Sequence, residues 1–549
     1  MSTDSHGTVN EESRPNILFA FADDWGRYAS AYAAHEGDQS PNALIDTPHF
    51  DRIAAEGALF TNALVPAPSC TPCRSSVLSG RYFWQTGHGA ILTGAVWDRA
   101  IPSYPFMLRD AGYHIGFSYK VWSPGTLKDD PYGGEGSRYQ ERGTDYDEFS
   151  FRATEWAAES GGKEPAKQRL YDEVKGNFRD FLDDRAPDQP FCYWWGPTNT
   201  HREWQKGSGN ELWGIEPDAL RGRLPSFLPD VHEVREDVAD YLGECMAVDA
   251  GLGVLLGMLE KMGELDNTLI VVSGDHGIPG FPRGKCNLYD FGCEVALAAR
   301  LPGTVAPGRV VEDMVNIMDI APTFLEVAGV EPPEGMPARS LMDVLASDRS
   351  GPVSPDRTFV VTGRERHVAL ARDQKLPYPH RAIRTHDFLY IRNFAPDRWP
   401  AGDPHGMDDV TVEAPPYEGL EHDTYLAYAD IDASPTKAWM IHNRAAEDVR
   451  EAYRLGFGKR PAEELYDVRN DPYHMKNLAD DPDFADRKKD LAGRLEAVLR
   501  AQNDPRMSEG PCRFDSTPFT DWPCPVETAE TRAAVVRETL VADSQPRAR

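Results

Sequence analysis

Long apolar runs and positive charge are both scarce in this sequence. No stretch approaches the roughly 18 consecutive apolar residues that a membrane-spanning helix needs, so we predict no membrane span. The chain carries 58 Lys and Arg residues against 88 Asp and Glu residues, which gives a formal net charge of −30. Such a surface repels nucleic acids and anionic membranes, so neither is an expected partner. A local basic pocket can still bind a small anion, because the overall charge says little about a single site.

A secretory signal is also missing. The segment from Met1 to Arg14 is polar and acidic, without the basic start and apolar core of such a signal. We therefore predict that residues 1–13 form a disordered leader and that the protein is cytoplasmic. An export signal removed from a precursor would leave the same pattern, and the protein would then be periplasmic or secreted.

Cysteine is sparse for a chain of 549 residues, with eight in all. Their spacing is not that of a small disulfide scaffold, so we expect most of them to be buried and reduced. Cys70 and Cys73 lie close together in a segment that favours a helix, with Ser69 placed as its N-cap and Pro72 in its first turn. Cys70 is thereby presented at a helix N-terminus, which favours an anion or a developing oxyanion.

Polar side chains follow four predicted buried strands. Each strand is a short apolar run, typical of a parallel sheet covered on both faces, and helical stretches precede several of them. We therefore predict an α/β fold with a central, mostly parallel sheet flanked by helices. In such sheets ligands bind beyond the carboxyl ends of the strands. The four runs and the residues that follow them are 16–22 with Asp23 and Asp24, 113–118 with Lys120, 191–196 with His201, and 268–273 with Asp275 and His276.

The character of the sequence changes after residue 375. Residues 381–394 are typical of two short strands joined by a His-Asp turn, and residues 483–502 of a charged helix. A chain of 549 residues is long enough for two domains of unequal size. We predict a larger domain over 14–375, a smaller α+β domain with an antiparallel sheet over 376–505, and an extended tail over 506–549.

Two chemical interpretations of the cysteine segment compete with a purely structural one. Cys70 and Cys73 have the spacing of a Cys-x-x-Cys redox pair, which also occurs at helix starts. Cys70, Pro72 and Arg74 instead spell Cys-x-Pro-x-Arg, followed by a Ser- and Leu-rich helix and Gly80. The structural interpretation is an ordinary buried thiol. The acidic residues at two strand ends favour the second interpretation, since a thioredoxin-like module needs no such acids.

This second pattern resembles the maturation signature of the sulfatase family, in which a dedicated enzyme oxidises the cysteine to formylglycine. The resemblance covers nearly the whole chain and is strongest to the branch of heparan N-sulfatase (sulfamidase). It implies an alkaline-phosphatase-like large α/β domain and a small C-terminal domain with an antiparallel sheet. It also implies a formylglycine nucleophile at position 70 and a formylglycine-generating enzyme as a maturation partner. The matching motifs are PNILFAFADDWG at 15–26, TPHFDRIAAEGALFTNAL at 47–64, NLYDFG at 287–292 and ELYDVRNDP at 464–472.

Three carboxylates at strand ends predict a metal site. Asp23, Asp24 and Asp275 offer hard oxygen ligands that suit Ca²⁺ or Mg²⁺. The resemblance implies that an oxygen of the formylglycine derived from Cys70 completes the shell. Many sulfatases have Asn as the further ligand, whereas this chain has His276, and imidazole suits Mn²⁺ or Zn²⁺ better than Ca²⁺. We predict Ca²⁺ because members of the family usually use it, with Mg²⁺ or Mn²⁺ as alternatives.

The resemblance also assigns residues around the sulfate group. Lys120 and Lys285 match the two basic residues that bind the sulfate, although Arg283 lies close to Lys285 in the sequence. Arg74 matches the residue that holds the formylglycine. His201 matches the histidine that protonates the leaving group, which requires a proton donor within hydrogen-bond reach.

One position departs from the family pattern. The family often has Gly-Lys-x-His, where the histidine assists elimination of sulfate, but this chain has Tyr119-Lys120-Val121-Trp122. Tryptophan cannot act as a base. Either another group takes that role or turnover relies on the aldehyde hydrate itself, and His367 is a candidate substitute or substrate contact.

These residues together predict a hydrolase that cleaves a sulfate ester or a sulfamate, with a sulfated sugar implied by the branch. The negative surface favours a small substrate over a long, heavily sulfated polymer. The pair Asp275-His276 also occurs in the choline-sulfatase and phosphonate-monoester-hydrolase branches, so a phosphonate or phosphate ester hydrolase on the same scaffold is a second hypothesis. A protein that only binds sulfated ligands is a third, and the intact set of candidate residues argues against it.

Overall fold

The computed structural model describes residues 14–521 of the chain. The predicted leader lies outside the described residues, and so does the predicted tail from residue 522 onward. The strands of the described part are β1 (Asn16–Ala22), β2 (Ala58–Phe60), β3 (Ala63–Leu64), β4 (His114–Tyr119), β5 (Phe191–Gly196), β6 (Thr268–Gly274), β7 (Leu297–Arg300), β8 (Arg309–Val311), β9 (Val315–Asn316), β10 (Phe359–Arg364), β11 (His380–Thr385), β12 (Phe388–Asn393) and β13 (Glu463–Asp467).

Helices precede or follow most of these strands, as the sequence pattern predicted. Those of six residues or more in the described part are α1 (Pro48–Glu56), α2 (Cys70–Ser79), α3 (Tyr104–Asp110), α4 (Phe149–Glu155), α5 (Lys163–Asp183), α6 (Ser208–Trp213), α7 (His232–Met262), α8 (Ile320–Val327), α9 (Tyr417–His422), α10 (Pro435–His442), α11 (Arg450–Phe457) and α12 (Ala485–Ala501).

The central sheet has seven strands in the order β4-β5-β1-β6-β7-β2-β8, and all neighbouring pairs are parallel except those that involve β7. The packing of side chains on both faces of strand β1 explains why its sequence is a continuous apolar run. Ile17, Phe19 and Phe21 pack into one core cluster, while Leu18 and Ala20 pack into the other. Both faces of the strand are therefore buried, which is typical of a sheet covered by helices on each side. The predicted α/β class, with a mostly parallel central sheet, is confirmed.

Helix α7 is the one helix of the described residues that is long and apolar enough to cross a membrane by length and composition. Its apolar window is 67% buried inside the fold. Val238, Leu242 and Leu256 on this helix form part of the core on one face of the central sheet. Such burial is typical of a core helix in a globular protein.

A second, antiparallel sheet has the order β10-β11-β12-β13. Strands β11 and β12 form the predicted hairpin around a His386-Asp387 turn. Leu491, Leu495 and Leu499 of helix α12 recur every four residues and share an apolar cluster with residues of this sheet. The first strand of this sheet, β10, lies before residue 376, where the smaller domain was predicted to begin. The limits of the predicted domains stay a prediction.

Residues 394–462, which we call the insertion, separate β12 from β13. They contain helices α9, α10 and α11 and have an apolar cluster of their own, which includes Leu420, Ile431, Ile441 and Phe457. Helix α10 begins with a hydrogen bond from the N–H of Lys437 to the hydroxyl of Ser434. The insertion is thus a small packed unit that carries its loops to defined positions.

Candidate active site

Four neighbouring strands end at one edge of the central sheet and bring the predicted residues there. Strands β4, β5, β1 and β6 lie side by side and run parallel. The N–H of Asp24 donates a hydrogen bond of 2.8 Å to Oδ1 of Asp275, which joins two strand ends directly. The polar residues at this edge are Asp23 and Asp24 after β1, Lys120 after β4, His201 after β5, and Asp275 and His276 after β6.

Cys70 is the first residue of helix α2 and lies among these side chains. Its Sγ is 3.3 Å from Nε2 of His276 and 3.8 Å from Oδ1 of Asp24. Nε2 of His276 is 3.1 Å from Oδ1 of Asp24 and 3.6 Å from Oδ1 of Asp275. One ligand atom from each of the four buried residues lies within 4.8 Å of the others. Carboxylates, imidazole and a position-70 side chain form a donor set for a divalent cation.

The orientation of His276 supports this donor set. Its Nδ1 lies 3.1 Å from the carbonyl oxygen of Gly277, which can only accept, so Nδ1 carries a proton. Nε2 then points towards the carboxylate oxygens of Asp24 and Asp275, and it is the ring atom that would bind a cation held between them. The residues present therefore fit a divalent metal.

Asp23 belongs to an adjoining group with Asp24 and His201. Its carboxylate accepts hydrogen bonds from Nζ of Lys120 at 2.7 and 2.8 Å and from Nη2 of Arg74 at 3.1 Å. Burial alone raises the pKa of Asp23, but Lys120 and Arg74 outweigh burial and hold that pKa well below its ordinary value. The carboxylate is therefore ionised and available to a cation.

Arg74 is fully buried and connects helix α2 to the strand ends. Its Nε donates to Oδ2 of Asp275 at 2.8 Å, and its Nη1 donates to the carbonyl of Lys120 at 3.0 Å. Burial acts to lower the pKa of Arg74, but Asp275 and Asp23 raise it above its ordinary value. Arg74 thus holds two candidate metal-binding carboxylates in fixed positions.

Lys285 reaches the site and Arg283 does not. Nζ of Lys285 donates to Oδ2 of Asp24 at 2.9 Å and lies 3.3 Å from Oδ2 of Asp432. Burial acts to lower the pKa of Lys285, but Asp24 and Asp432 raise it well above its ordinary value. Arg283 instead donates to the carbonyl of His474 and lies over the ring of Tyr289. Of these two basic residues, the structure therefore brings Lys285 to the site, which is the one that the sequence prediction preferred.

Comparison with known proteins identifies the family. A family model described as Sulfatase matches residues 15–330, and a second, described as N-sulphoglucosamine sulphohydrolase, C-terminal, matches residues 280–405. The chain belongs to the sulfatase family. The predicted resemblance is thereby confirmed, and with it the assignment to the sulfuric ester hydrolases.

Relatives of this sulfatase match it over most of its length. It is 26% identical to an ulvan-active sulfatase of Formosa agariphila over 516 residues, which cover 89% of this chain and 76% of that relative. It is also 26% identical to the N-sulphoglucosamine sulphohydrolase of Homo sapiens over 526 residues, with 90% of this chain and 91% of that relative covered.

Solved structures share the fold of this sulfatase. A protein in complex with its substrate D-glucosamine-2-N,6-O-disulfate superposes with a TM-score of 0.58 at 20% identity, covering 90% of this chain and 99% of the other. The phosphonate monoester hydrolase of Agrobacterium radiobacter also gives a TM-score of 0.58, at 19% identity, with 89% and 96% covered. The predicted alkaline-phosphatase-like architecture with a smaller antiparallel sheet is confirmed.

The two other predicted histidines differ in their partners and in their exposure. Nε2 of His201 is 3.9 Å from Oδ2 of Asp24, and its Nδ1 is 2.7 Å from the carbonyl of Arg202. His201 keeps 30% of its side chain exposed, whereas His367 is buried. Burial lowers the pKa of His201, as does Lys285, and burial lowers that of His367 to about 3.

Ser69 corrects one prediction about the nucleophile helix. It occupies the N-cap position of α2, but its hydroxyl makes no capping hydrogen bond. Ser69 Oγ instead lies 2.8 Å from Nδ1 of His367. A buried Nδ1 of His367 without a partner would cost free energy. The hydroxyl of Ser69 therefore bonds to His367 and not to the backbone N–H groups of its own helix. His367 is thereby attached to the residue next to Cys70.

The two cysteines of the signature are not a poised redox pair. Cys70 and Cys73 are both free and buried. Burial, followed by the negative charge of Asp23, raises the pKa of the Cys70 thiol well above its ordinary value. Burial likewise raises the pKa of Cys73. Reactive redox cysteines have lowered pKa values, so the raised pKa values of Cys70 and Cys73 argue against the redox interpretation.

Trp122, which replaces the expected histidine, is part of the sulfatase core. Its side chain is fully buried, and its ring meets that of Trp97 edge to face. Nε1 donates a hydrogen bond of 2.8 Å to the hydroxyl of Ser75 on helix α2. Trp122 therefore supports the helix that begins at Cys70 and offers no basic atom to the site.

Asp432 is a residue at the site that the sequence reasoning missed. It comes from the insertion, and its carboxylate pairs with Lys285. It lies in the segment Ala429-Asp430-Ile431-Asp432, where acids alternate with small or apolar residues. That alternation was a weak signal, because exposed loops often contain isolated acids.

Proposed function

We propose that this sulfatase hydrolyses a sulfate ester or a sulfamate on a small carbohydrate, with a formylglycine derived from Cys70 as nucleophile and a divalent metal. The position of Cys70 is the observation that supports this most strongly. Its side chain starts a helix and lies among Asp24, Asp275 and His276, and the positive charges of Lys120 and Lys285 act on it. A helix N-terminus and flanking cations favour attack on an anionic group.

The charge balance of the site supports a metal. Four carboxylates, Asp23, Asp24, Asp275 and Asp432, face the three cations Arg74, Lys120 and Lys285, and all seven side chains are largely buried. Such a site has no excess positive charge with which to bind a sulfate group. A divalent cation supplies that excess and stabilises charge on the sulfate oxygens as a Lewis acid. We propose that Asp23, Asp24, Asp275, His276 and the position-70 side chain hold it.

The identity of the metal follows less directly from the ligands. Carboxylate oxygens suit Ca²⁺ and Mg²⁺, whereas the imidazole of His276 suits Mn²⁺ better. We propose Ca²⁺ because the carboxylates outnumber the imidazole in this set.

The other predicted residues have separate roles in this proposal. Lys120 and Lys285 bind the sulfate oxygens, which requires each ammonium to move partly away from the carboxylate that it now contacts. Arg74 keeps Asp23 and Asp275 in place. His201, which is partly exposed, protonates the departing oxygen or nitrogen of the sugar. His367 contacts the substrate or assists release of sulfate through its position next to Ser69.

The relatives and the surface charge suggest the substrate class. One relative is named for ulvan and another for N-sulphoglucosamine, and one structural neighbour was solved with a glucosamine disulfate. The net charge of −30 disfavours approach of long polyanions. We therefore propose a sulfated monosaccharide or short oligosaccharide, and a formylglycine-generating enzyme as the partner in maturation.

A direct test is to produce the protein together with a formylglycine-generating enzyme and assay 4-nitrophenyl sulfate and a panel of sulfated monosaccharides. We expect turnover by the wild type and none by Cys70→Ala. Cys73→Ala is the matched control, because it removes a neighbouring buried thiol and leaves Cys-x-Pro-x-Arg intact. Equal activity of wild type and Cys70→Ala would contradict the proposal.

A phosphonate or phosphate ester hydrolase is the second candidate function, and His276 is the observation that favours it. The shared fold with a phosphonate monoester hydrolase is compatible with it. The same preparation distinguishes the two, since a phosphonate hydrolase would turn over an aryl phosphonate faster than 4-nitrophenyl sulfate.

A further inference from the structure

Asp432 places a second carboxylate beside Lys285, the lysine proposed to bind the sulfate group. Nζ of Lys285 lies 2.9 Å from Oδ2 of Asp24 and 3.3 Å from Oδ2 of Asp432, so one ammonium bridges the two acids. The Asp24 side chain is fully buried, whereas that of Asp432 is 20% exposed. A molecule in the pocket can therefore reach Asp432.

The chain on the N-terminal side of Asp432 is fixed in place. The carboxylate of Asp430 binds Arg372 at 2.6 Å and Arg364 at 3.2 Å. The carbonyl of Ile431 accepts a hydrogen bond of 2.7 Å from Nζ of Lys437, which is fully buried. These contacts attach the preceding residues to strand β10 and to helix α10.

The chain on the C-terminal side is fixed as well. The N–H of Ala433 donates to Oγ1 of Thr424 at 2.9 Å, and the hydroxyl of Ser434 donates to the carbonyl of Gly280 at 2.7 Å. Gly280 belongs to the segment between β6 and Lys285, so the insertion is attached to the catalytic edge itself. A carboxylate held this firmly on both sides is preorganised, which is what a recognition group requires.

A preorganised carboxylate beside a sulfate pocket has an energetic cost that needs an explanation. Its negative charge repels the sulfate that Lys285 is proposed to bind. Oδ2 of Asp432 is inaccessible to solvent and faces Nζ of Lys285 at 3.3 Å, so the 20% of the side chain that stays exposed lies elsewhere on it. An ionised carboxylate can accept about four hydrogen bonds. Donors from the bound substrate would use this capacity.

We propose that Asp432 is a specificity-determining residue that accepts hydrogen bonds from hydroxyl or amino groups of the sugar part of the substrate. It recognises the group that leaves, whereas Lys120 and Lys285 recognise the sulfate. This inference rests on the proposed function. It explains why the insertion carries a rigid acid to the site, and it selects sugars over leaving groups without donors.

The competing explanation is that Asp432 acts only through Lys285, as a positioning residue. The two explanations differ for a sulfate ester whose leaving group lacks donors, such as 4-nitrophenyl sulfate. Loss of a positioning residue would slow every substrate, since all of them need Lys285. Loss of a residue that also recognises sugars would slow the sugar substrates by a clearly larger factor than 4-nitrophenyl sulfate.

The test compares wild type, Asp432→Asn and Asp432→Ala, with Asp448→Asn as the matched control because Asp448 is an exposed acid of the same insertion. The probes are 4-nitrophenyl sulfate and the sulfated monosaccharide that the wild type hydrolyses fastest. We expect Asp432→Asn to lower kcat/KM for the sugar by about ten- to a hundredfold, mainly through KM. We expect kcat/KM for 4-nitrophenyl sulfate to fall by a smaller factor in both Asp432 variants, because Asp432 also contacts Lys285, and thermal melting checks that the variants fold.

Equal losses on both probes, or no loss on either, would overturn the inference and leave the sulfatase function intact. A wild type that hydrolyses 4-nitrophenyl sulfate but no sugar sulfate would also overturn it. A wild type with formylglycine that hydrolyses neither probe would overturn the proposed function, and the inference with it.

Discussion

Arg74 and Asp275 form a fully buried ion pair, with Nε of the arginine 2.8 Å from Oδ2 of the aspartate. The pair joins the helix that begins at Cys70 to the end of the strand that carries Asp275 and His276. Removal of one partner from a buried pair leaves the other charge uncompensated, which typically costs about 3 kcal/mol or more of stability. The position of Cys70, the proposed nucleophile, therefore depends on this contact.

Replacement of Arg74 tests that dependence. Arg74→Lys keeps the charge but loses the guanidinium fork that reaches Asp275, Asp23 and the carbonyl of Lys120 at once. We expect kcat to fall by about a hundredfold or more, because misplacement of a reacting group by an ångström has effects of that size. Steady-state kinetics and thermal melting measure both consequences. Full activity of Arg74→Lys with complete formylglycine conversion would contradict this role.

Removal of the metal should lower both stability and activity. A ligand that binds only the folded state stabilises it in proportion to the logarithm of its concentration above Kd. We expect chelation to lower Tm and abolish turnover, and Ca²⁺ to restore both. His276→Asn should strengthen the preference for Ca²⁺ over Mn²⁺, because it replaces imidazole by an oxygen ligand. If Mn²⁺ but not Ca²⁺ restored Tm and turnover to the chelated wild type, His276 would be the ligand that determines the metal. Full activity without any bound metal would contradict the metal site.

His201 should matter most when the leaving group is poor. A general acid contributes about 10² to 10⁴ in rate, and a sugar oxygen needs that proton more than 4-nitrophenolate does. We expect His201→Ala to lower kcat on a sugar sulfate by about that factor and to have much less effect on 4-nitrophenyl sulfate. His88→Ala is a matched control, since His88 lies in the same part of the chain as the nucleophile helix but stacks on Phe519. Equal losses on both substrates would count against a role in protonation.

Asp430 should stabilise the insertion in a manner that depends on pH. Burial raises the pKa of Asp430, but Arg372 and Arg364 outweigh it and lower the pKa to about 2, against an ordinary value of 3.8. A carboxylate with a lowered pKa in the folded state contributes stability that is present above the unfolded-state value and is lost as pH falls towards about 2. We expect Asp430→Asn to be less stable than wild type at pH 7, with the difference shrinking below pH 4. Denaturant unfolding at several pH values measures it, and a difference that is independent of pH would contradict the ion-pair account.

The sequence predicted the central sheet and most of the site because both depend on local patterns. A buried strand of a parallel sheet must be apolar throughout, and its end must become polar where it meets solvent or ligand. Asp23, Lys120, His201 and Asp275 all follow such runs, and the order β4-β5-β1-β6 makes those ends neighbours. The cysteine signature then placed the proposed nucleophile within one helix turn.

The contacts of Ser69 and Asp432 could not be predicted in this way. The hydroxyl of Ser69 can bond either to the backbone of its own helix or to His367, which is 298 positions away in the chain. Local sequence does not determine which of these two hydrogen bonds forms. Asp432 reaches Lys285 only because the insertion packs on the catalytic edge through Ser434 and Gly280. No period of two or 3.6 residues relates the two partners of either contact, so a local pattern does not show which residues will meet.

The central claim is that position 70 is converted from cysteine to formylglycine, and mass spectrometry of the peptide that contains it is the most direct test. The protein would be produced together with an active formylglycine-generating enzyme and digested. The account predicts a peptide in which the side chain of residue 70 has lost its sulfur and two hydrogens, gained one oxygen and reacts as an aldehyde. An unmodified Cys70, or a disulfide between Cys70 and Cys73, would contradict it.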